Sequence, residues 1–160
     1  EAKGEAPATT IDPEVSVPLA AYLPDDYVPD VHQRLVLYKR LAQAQRPEDL
    51  DDLRAELVDR FGDAPTEVDA LTEVMLLKIH LRALRLRGLD AVPGRVSVSL
   101  GPDAALNGTK LAAWVGKSKG QLRLTPDLKL IAKVSPDAKG DALFSEAKSV
   151  LRGLFQCATR

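Results

Sequence analysis

Glu56-Leu57-Val58-Asp59-Arg60-Phe61-Gly62 closes a helical pattern whose two sides differ in kind. On a helix advancing about 100° per residue, Leu50, Leu53, Leu57 and Phe61 fall within roughly 80° of one another. Asp52, Glu56, Asp59 and Arg60 project from the opposite side. An apolar stripe of this width has to be buried against a second layer, so the segment is one wall of a core. Gly62 offers the φ > 0 position at which helices commonly stop, and Pro65 sits where a next helix begins. The charged row therefore has a fixed geometry. Taken alone, Asp, Glu and Arg opposite a leucine stripe are the pattern of a solvated helix face.

Toward the N-terminus this helix starts at Pro47, a favoured first helical residue, with Glu48 and Asp49 in the first turn where the macrodipole favours negative charge. Before it, Val31 to Gln45 reads as a helix capped by Asp30, with Val31, Leu35, Tyr38 and Ala42 as its apolar stripe. Tyr22 to Asp30 holds two prolines and two tyrosines, which predicts a packed, rigid loop. Val15, Val17 and Leu19 alternate with polar residues as a short strand does, with Pro18 confining it to an edge. Residues 1–12 carry small residues and prolines without periodicity and read as linker, leaving residues 13–160 as a single domain.

Toward the C-terminus, Pro65 to Arg87 reads as a third helix stopped by Gly88, apolar nearly all round and so expected to be central. Then the period changes to two. Arg95 to Leu100, Gln121 to Leu124 and Lys129 to Val134 read as strands, with a short helix from Leu106 to Lys117 between the first two. Asp141 to Gln156 closes the chain as a helix burying Leu143, Phe144, Ala147, Val150, Leu151 and Leu154. The fold class is α+β: a three-helix N-terminal half packed on a small, mostly antiparallel sheet with an inserted short helix and a closing C-terminal helix.

At 160 residues the chain is long enough for a well-formed core. A single cysteine, Cys157, forms no internal disulfide, and no leader pattern opens the sequence, so the expected location is cytoplasmic. The longest apolar tract, Val74 to Leu89, is interrupted by Lys78, His80, Arg82, Arg85 and Arg87, which excludes it as a membrane span. Net charge is −1, but residues 11–70 hold 14 acidic and 6 basic residues whereas residues 71–135 hold 4 acidic and 11 basic. Either the halves neutralise each other where they pack, or the acidic one is a face offered to a basic partner.

Catalytic chemistry is hard to find. His32 and His80 have no carboxylate or cysteine at ligand spacing, Asp25-Asp26 between prolines reads as a loop cap, and no phosphate-binding glycine motif or nucleophile elbow occurs. Cys157 lacks an activating neighbour. Catalytic residues, metal ligands and a cofactor are therefore not expected. The basic segment Lys110 to Lys133 carries Lys110, Lys117, Lys119, Arg123, Lys129 and Lys133 and makes an accessory nucleic-acid-binding domain the alternative function.

Leu23-Pro24-Asp25-Asp26-Tyr27-Val28-Pro29-Asp30, then Arg34-Leu35 and Tyr38-Lys39-Arg40-Leu41-Ala42, then Glu56 to Gly62 with Pro65 form an ordered set. This set resembles the C-terminal (TRCF) domain of the bacterial transcription-repair coupling factors, the Mfd family. The likeness covers about residues 14–89; beyond Ala91 it is one of length and alternation only. The resemblance implies a non-catalytic regulatory domain, tethered by residues 1–12 to an ATP- and magnesium-dependent DNA translocase that displaces stalled RNA polymerase and recruits UvrA. It further implies that the domain docks in cis on the UvrB-like N-terminal module, masking the UvrA site and repressing the motor. The residues matched to that contact are Glu56, Asp59 and Arg60, with Asp52 beside them.

Overall fold

The computed structural model describes residues 12–159, so all of the expected linker except Asp12 lies outside the described residues. The described chain divides into two compact units, residues 19–79 and residues 12–18 with 80–159. Among the described residues there are five helices and one five-stranded mixed sheet, the expected α+β class. No helix among them is long and apolar enough to cross a membrane.

The first unit is helical. α1 (Val31–Ala42) is capped by Asp30, whose carboxylate accepts from the His32 and Gln33 amides, and α2 (Pro47–Phe61) has the bounds its sequence announces. α3 (Thr66–Ala83) begins in this unit and is buried or half-buried at every position from Glu67 to Arg82, as an all-round apolar helix should be. Leu23, Val28, Leu37, Leu41, Leu50, Leu53, Leu57, Val68 and Leu71 form the core. One expectation holds only in part: Tyr38 packs against the core, but Val31 and Leu35 are 60% and 63% exposed, and α1 buries Leu37 and Leu41. Both stripes have helical spacing, so periodicity could not choose between them. The proline loop decides it, because the Tyr38 hydroxyl accepts from the Leu23 amide at 2.7 Å and Arg34 donates to the Val28 carbonyl at 2.8 Å. Those bonds turn the Leu37–Leu41 side inward.

The second unit is a sheet with helices. β1 (Glu14–Ser16) pairs in parallel with β2 (Gly88–Val92), and β2 pairs antiparallel with β3 (Arg95–Ser99). After α4 (Gly108–Lys117) come β4 (Leu122–Leu124) and β5 (Lys129–Lys133), giving the order β1-β2-β3-β5-β4. α5 (Gly140–Gln156) packs on β2 and β3, burying all six residues of its apolar face. β1 is shorter than its alternation promised, ending before Pro18.

β2 was not anticipated, and α3 is shorter than its apolar pattern. Gly88 is no helix stop. The helix ends at Ala83 and is closed off by Arg85, which adopts φ 57°, with the Leu86 amide on the Leu81 carbonyl at 2.9 Å and the Arg85 amide on the Arg82 carbonyl at 3.0 Å. This is a Schellman closure with arginine in the usual glycine position, held by Leu81 and Leu86, both 0% exposed. Gly88 then opens β2 where β1 passes so closely that a β-carbon would lie 2.6 Å from the Glu14 carbonyl oxygen. Its role is close backbone approach.

A candidate docking face on the second helix

α2 is anchored at its start by its own flanking residues and at its end by the proline loop. At the start, the Asp49 carboxylate accepts from the Gln45 and Arg46 amides at 3.0 and 3.2 Å, which hold it below the usual carboxylate range. At the end, the Gly62 carbonyl accepts from the Tyr27 hydroxyl at 2.7 Å, and the Tyr27 and Phe61 rings meet 5.7 Å apart. Gly62 has φ 93°, the conformation its position called for. The proline loop and the end of α2 are thus one packed assembly, and burial raises the Tyr27 phenol pKa.

Leu50, Leu53 and Leu57 are buried; Asp52 and Asp59 project from the far side of the helix, and Glu56 and Arg60 from the flank next to Leu53. The four charged residues have different surroundings. Glu56 receives a bidentate bond from Arg40 of α1, at 2.7 and 2.8 Å, and a third bond from Arg60 at 3.0 Å. The two guanidinium groups hold its pKa down at about 2, the Arg40 bond contributing most. Arg60 also lies 4.9 Å from the centre of the Phe61 ring, a cation–π contact that limits its rotamers. Asp52 and Asp59 are exposed and form no hydrogen bond or ion pair among the described residues. A shallow groove of about 320 Å³ runs alongside, lined by Arg40, Gln43, Ala44, Asp49, Asp52, Leu53 and Glu56. Most of its lining is polar or charged, with Ala44 and Leu53 the apolar contributors.

Chemically this arrangement offers two free carboxylates and two oriented guanidinium groups, a set suited to ion pairs across an interface. Bond-making catalysis has less to work with. His32 is exposed at the start of α1, His80 is half-buried with its ring edge-on to Phe155, and Cys157 is buried with its thiol pKa raised. Among the described residues no three His, Cys, Asp or Glu side chains gather as metal ligands would.

The TRCF domain family model matches residues 17–111, more than half of the chain. The chain belongs to this family. Relatives carry the likeness past the motif region: the transcription-repair-coupling factor of Myxococcus xanthus is 57% identical over 158 residues, 99% of this TRCF domain chain and 13% of that protein. The Bacillus subtilis (strain 168) factor is 32% identical over 162 residues, 96% of the chain and 14% of the relative. The chain therefore spans about an eighth of the length of these relatives. A crystal structure of the C-terminal domain of a transcription-repair coupling factor superposes with a TM-score of 0.73, covering 92% of this chain and 94% of that one at 22% identity, which establishes a common fold.

Of the residues named from sequence, Asp52 and Asp59 lie exposed on the far side of α2, whereas Glu56 is half-buried on the flank that meets α1, with Arg60 one turn further along. Arg40 is the residue that sequence reading passed over. It stood in the motif Tyr38-Lys39-Arg40-Leu41-Ala42, yet only the packing of α1 on α2 reveals that its guanidinium meets Glu56. A cation sixteen residues away has no periodic signature.

Proposed function

We propose that this TRCF domain is a non-catalytic regulatory domain of a cytoplasmic transcription-repair coupling factor. The full-length protein is read as an ATP-driven DNA translocase that displaces stalled RNA polymerase and recruits UvrA. In this reading α2 docks in cis on the UvrB-like N-terminal module through Glu56, Asp59 and Arg60, with Asp52 at the margin. Docking covers the surface UvrA would use and keeps the motor repressed.

The observation that supports this reading is the Arg40–Glu56–Arg60 cluster beside two carboxylates without partners. Holding Glu56 between two arginines orients Arg60 before any partner arrives, so less side-chain entropy is lost on docking. Ion pairs of this exposure are individually modest, which suits a latch. A contact that engagement of the motor must open can be held by only a few kcal/mol, because the opening ligand has to supply the difference.

The test is binding of this chain to the separately expressed N-terminal module by calorimetry, with and without Asp59→Arg and Arg60→Glu. The double reversal is expected to leave the circular dichroism spectrum unchanged and to weaken binding at least tenfold, since each reversed charge turns attraction into repulsion. In the full-length protein the same reversal should raise UvrA binding and basal ATPase activity. Unaltered binding in both assays refutes the docking assignment.

A further inference from the structure

The register of the sheet gathers cations that sequence leaves scattered. On the side of the sheet away from Val96, Val98, Leu130 and Ala132, all buried, Arg95 of β3 stands directly opposite Lys133 of β5, and Ser99 opposite Lys129. Between them Ser97 faces Ile131, and Ile131 faces Arg123 of β4. Arg95, Arg123, Lys129 and Lys133 are all exposed. Lys129 lies 4.0 Å from Asp127, while Arg95, Arg123 and Lys133 form no ion pair among the described residues. Like charges directly opposite across a strand pair destabilise a sheet, and nothing in the fold requires cations at these positions. Here that pair is Arg95 and Lys133, and an anion bound across it would relieve a repulsion that solvent and salt only screen.

We propose that this outward face of β3, β5 and β4 binds the sugar-phosphate backbone of duplex nucleic acid, independently of base sequence. The chemistry of the face selects this ligand over others that are acidic. Its centre is Ser97, Ser99 and Ile131, flat and without an aromatic side chain, so it has neither a stacking platform for unpaired bases nor a pocket for the apolar anchor of a protein partner. At about 3.3 Å per residue, Lys129 and Lys133 sit about 13 Å apart along β5, close to the width of about 12 Å of the major groove whose two phosphate rows they would meet. The serine hydroxyls between them can donate to phosphate oxygens. On the same side, Asp90 and Glu14 on the β2 and β1 strands mark where the basic half ends. The proposal does not depend on docking through α2.

The experiment is fluorescence anisotropy of a labelled 20-base-pair duplex of arbitrary sequence, titrated with the 160-residue chain from 20 to 200 mM salt. Binding is expected with a Kd on the order of 10 µM at the lowest salt, with log K falling against log salt at a slope of about −3 to −4 for three or four phosphate contacts. Arg123→Gln with Lys133→Gln should reduce that slope by about two, whereas Arg95→Lys with Arg123→Lys should keep it, since each phosphate needs only a point charge. Thermal melts of both variants confirm the fold, and Arg95→Gln alone serves as an independent probe. No binding at 20 mM salt, binding indifferent to the glutamine substitutions, or tighter capture of a single strand or of polyglutamate would each overturn the proposal.

Discussion

Glu56 shows how differently one carboxylate behaves from the aspartates a turn away. With about a third of its side chain exposed, its arginine pairs are worth about 1 kcal/mol after solvent screening, far less than the same geometry in a dry core. The depressed pKa still has a pH signature. Well above pH 4.5 Glu56 is ionised in both the folded and the unfolded chain, and its contribution is fully present. As pH falls from there toward about 2, the unfolded chain takes up the proton first and the contribution is lost. Arg40→Gln removes the largest cause, so the Glu56 carboxyl should titrate closer to an ordinary glutamate, a shift that carbon-detected NMR reads directly. A midpoint still near 2 in that variant would show that Arg60 alone holds the carboxylate. Asp52 and Asp59, lacking such partners, are free to meet a cation from outside.

At the scale of elements, two helices explain why pattern reading succeeded and where it slipped. α5 buries the six residues its amphipathic spacing named, because a helix laid on one sheet face has one possible inward stripe. α1 carries two candidate stripes, and the one that faces the core was selected by the bond Arg34 donates to the loop before it and the bond Tyr38 accepts from that loop. α5 also yields a prediction about close packing. Gly153 faces the Trp114 indole of α4 so closely that a β-carbon there would overlap ring carbons. Gly153→Ala gains about 1 kcal/mol of helix propensity but forces the ring to move, an overpacking cost of about 1–3 kcal/mol. The net effect should be destabilisation by about 1 kcal/mol together with altered fluorescence of the sole tryptophan. A stabilised variant with unchanged emission would mean that the indole moves aside freely.

Over the whole molecule the charge is partitioned between units: residues 19–79 hold 13 acidic and 7 basic residues, residues 12–18 with 80–159 hold 8 and 13. The docking and duplex-binding proposals fall on units of opposite sign, which predicts a double dissociation. Reversing Asp59 and Arg60 should leave duplex affinity within twofold while weakening association with the N-terminal module, and Arg123→Gln with Lys133→Gln should do the opposite. Both associations weaken as salt rises, because these exposed charges are screened over about 10 Å at 0.1 M. Sequence by itself determined the α+β class, the bounds of α2, the inward face of α5 and the family to which the motifs belong, since these rest on local periodicity, capping and contiguous residues. Tertiary structure alone decided which stripe of α1 is buried, that Arg85 rather than Gly88 closes off α3, that residues 88–92 form a strand, that Arg40 holds Glu56, and that Arg95 joins the basic face. Each depends on a neighbour distant in the chain, whether a loop carbonyl, a parallel strand or a facing helix. Spacing along the sequence carries no information about such pairings.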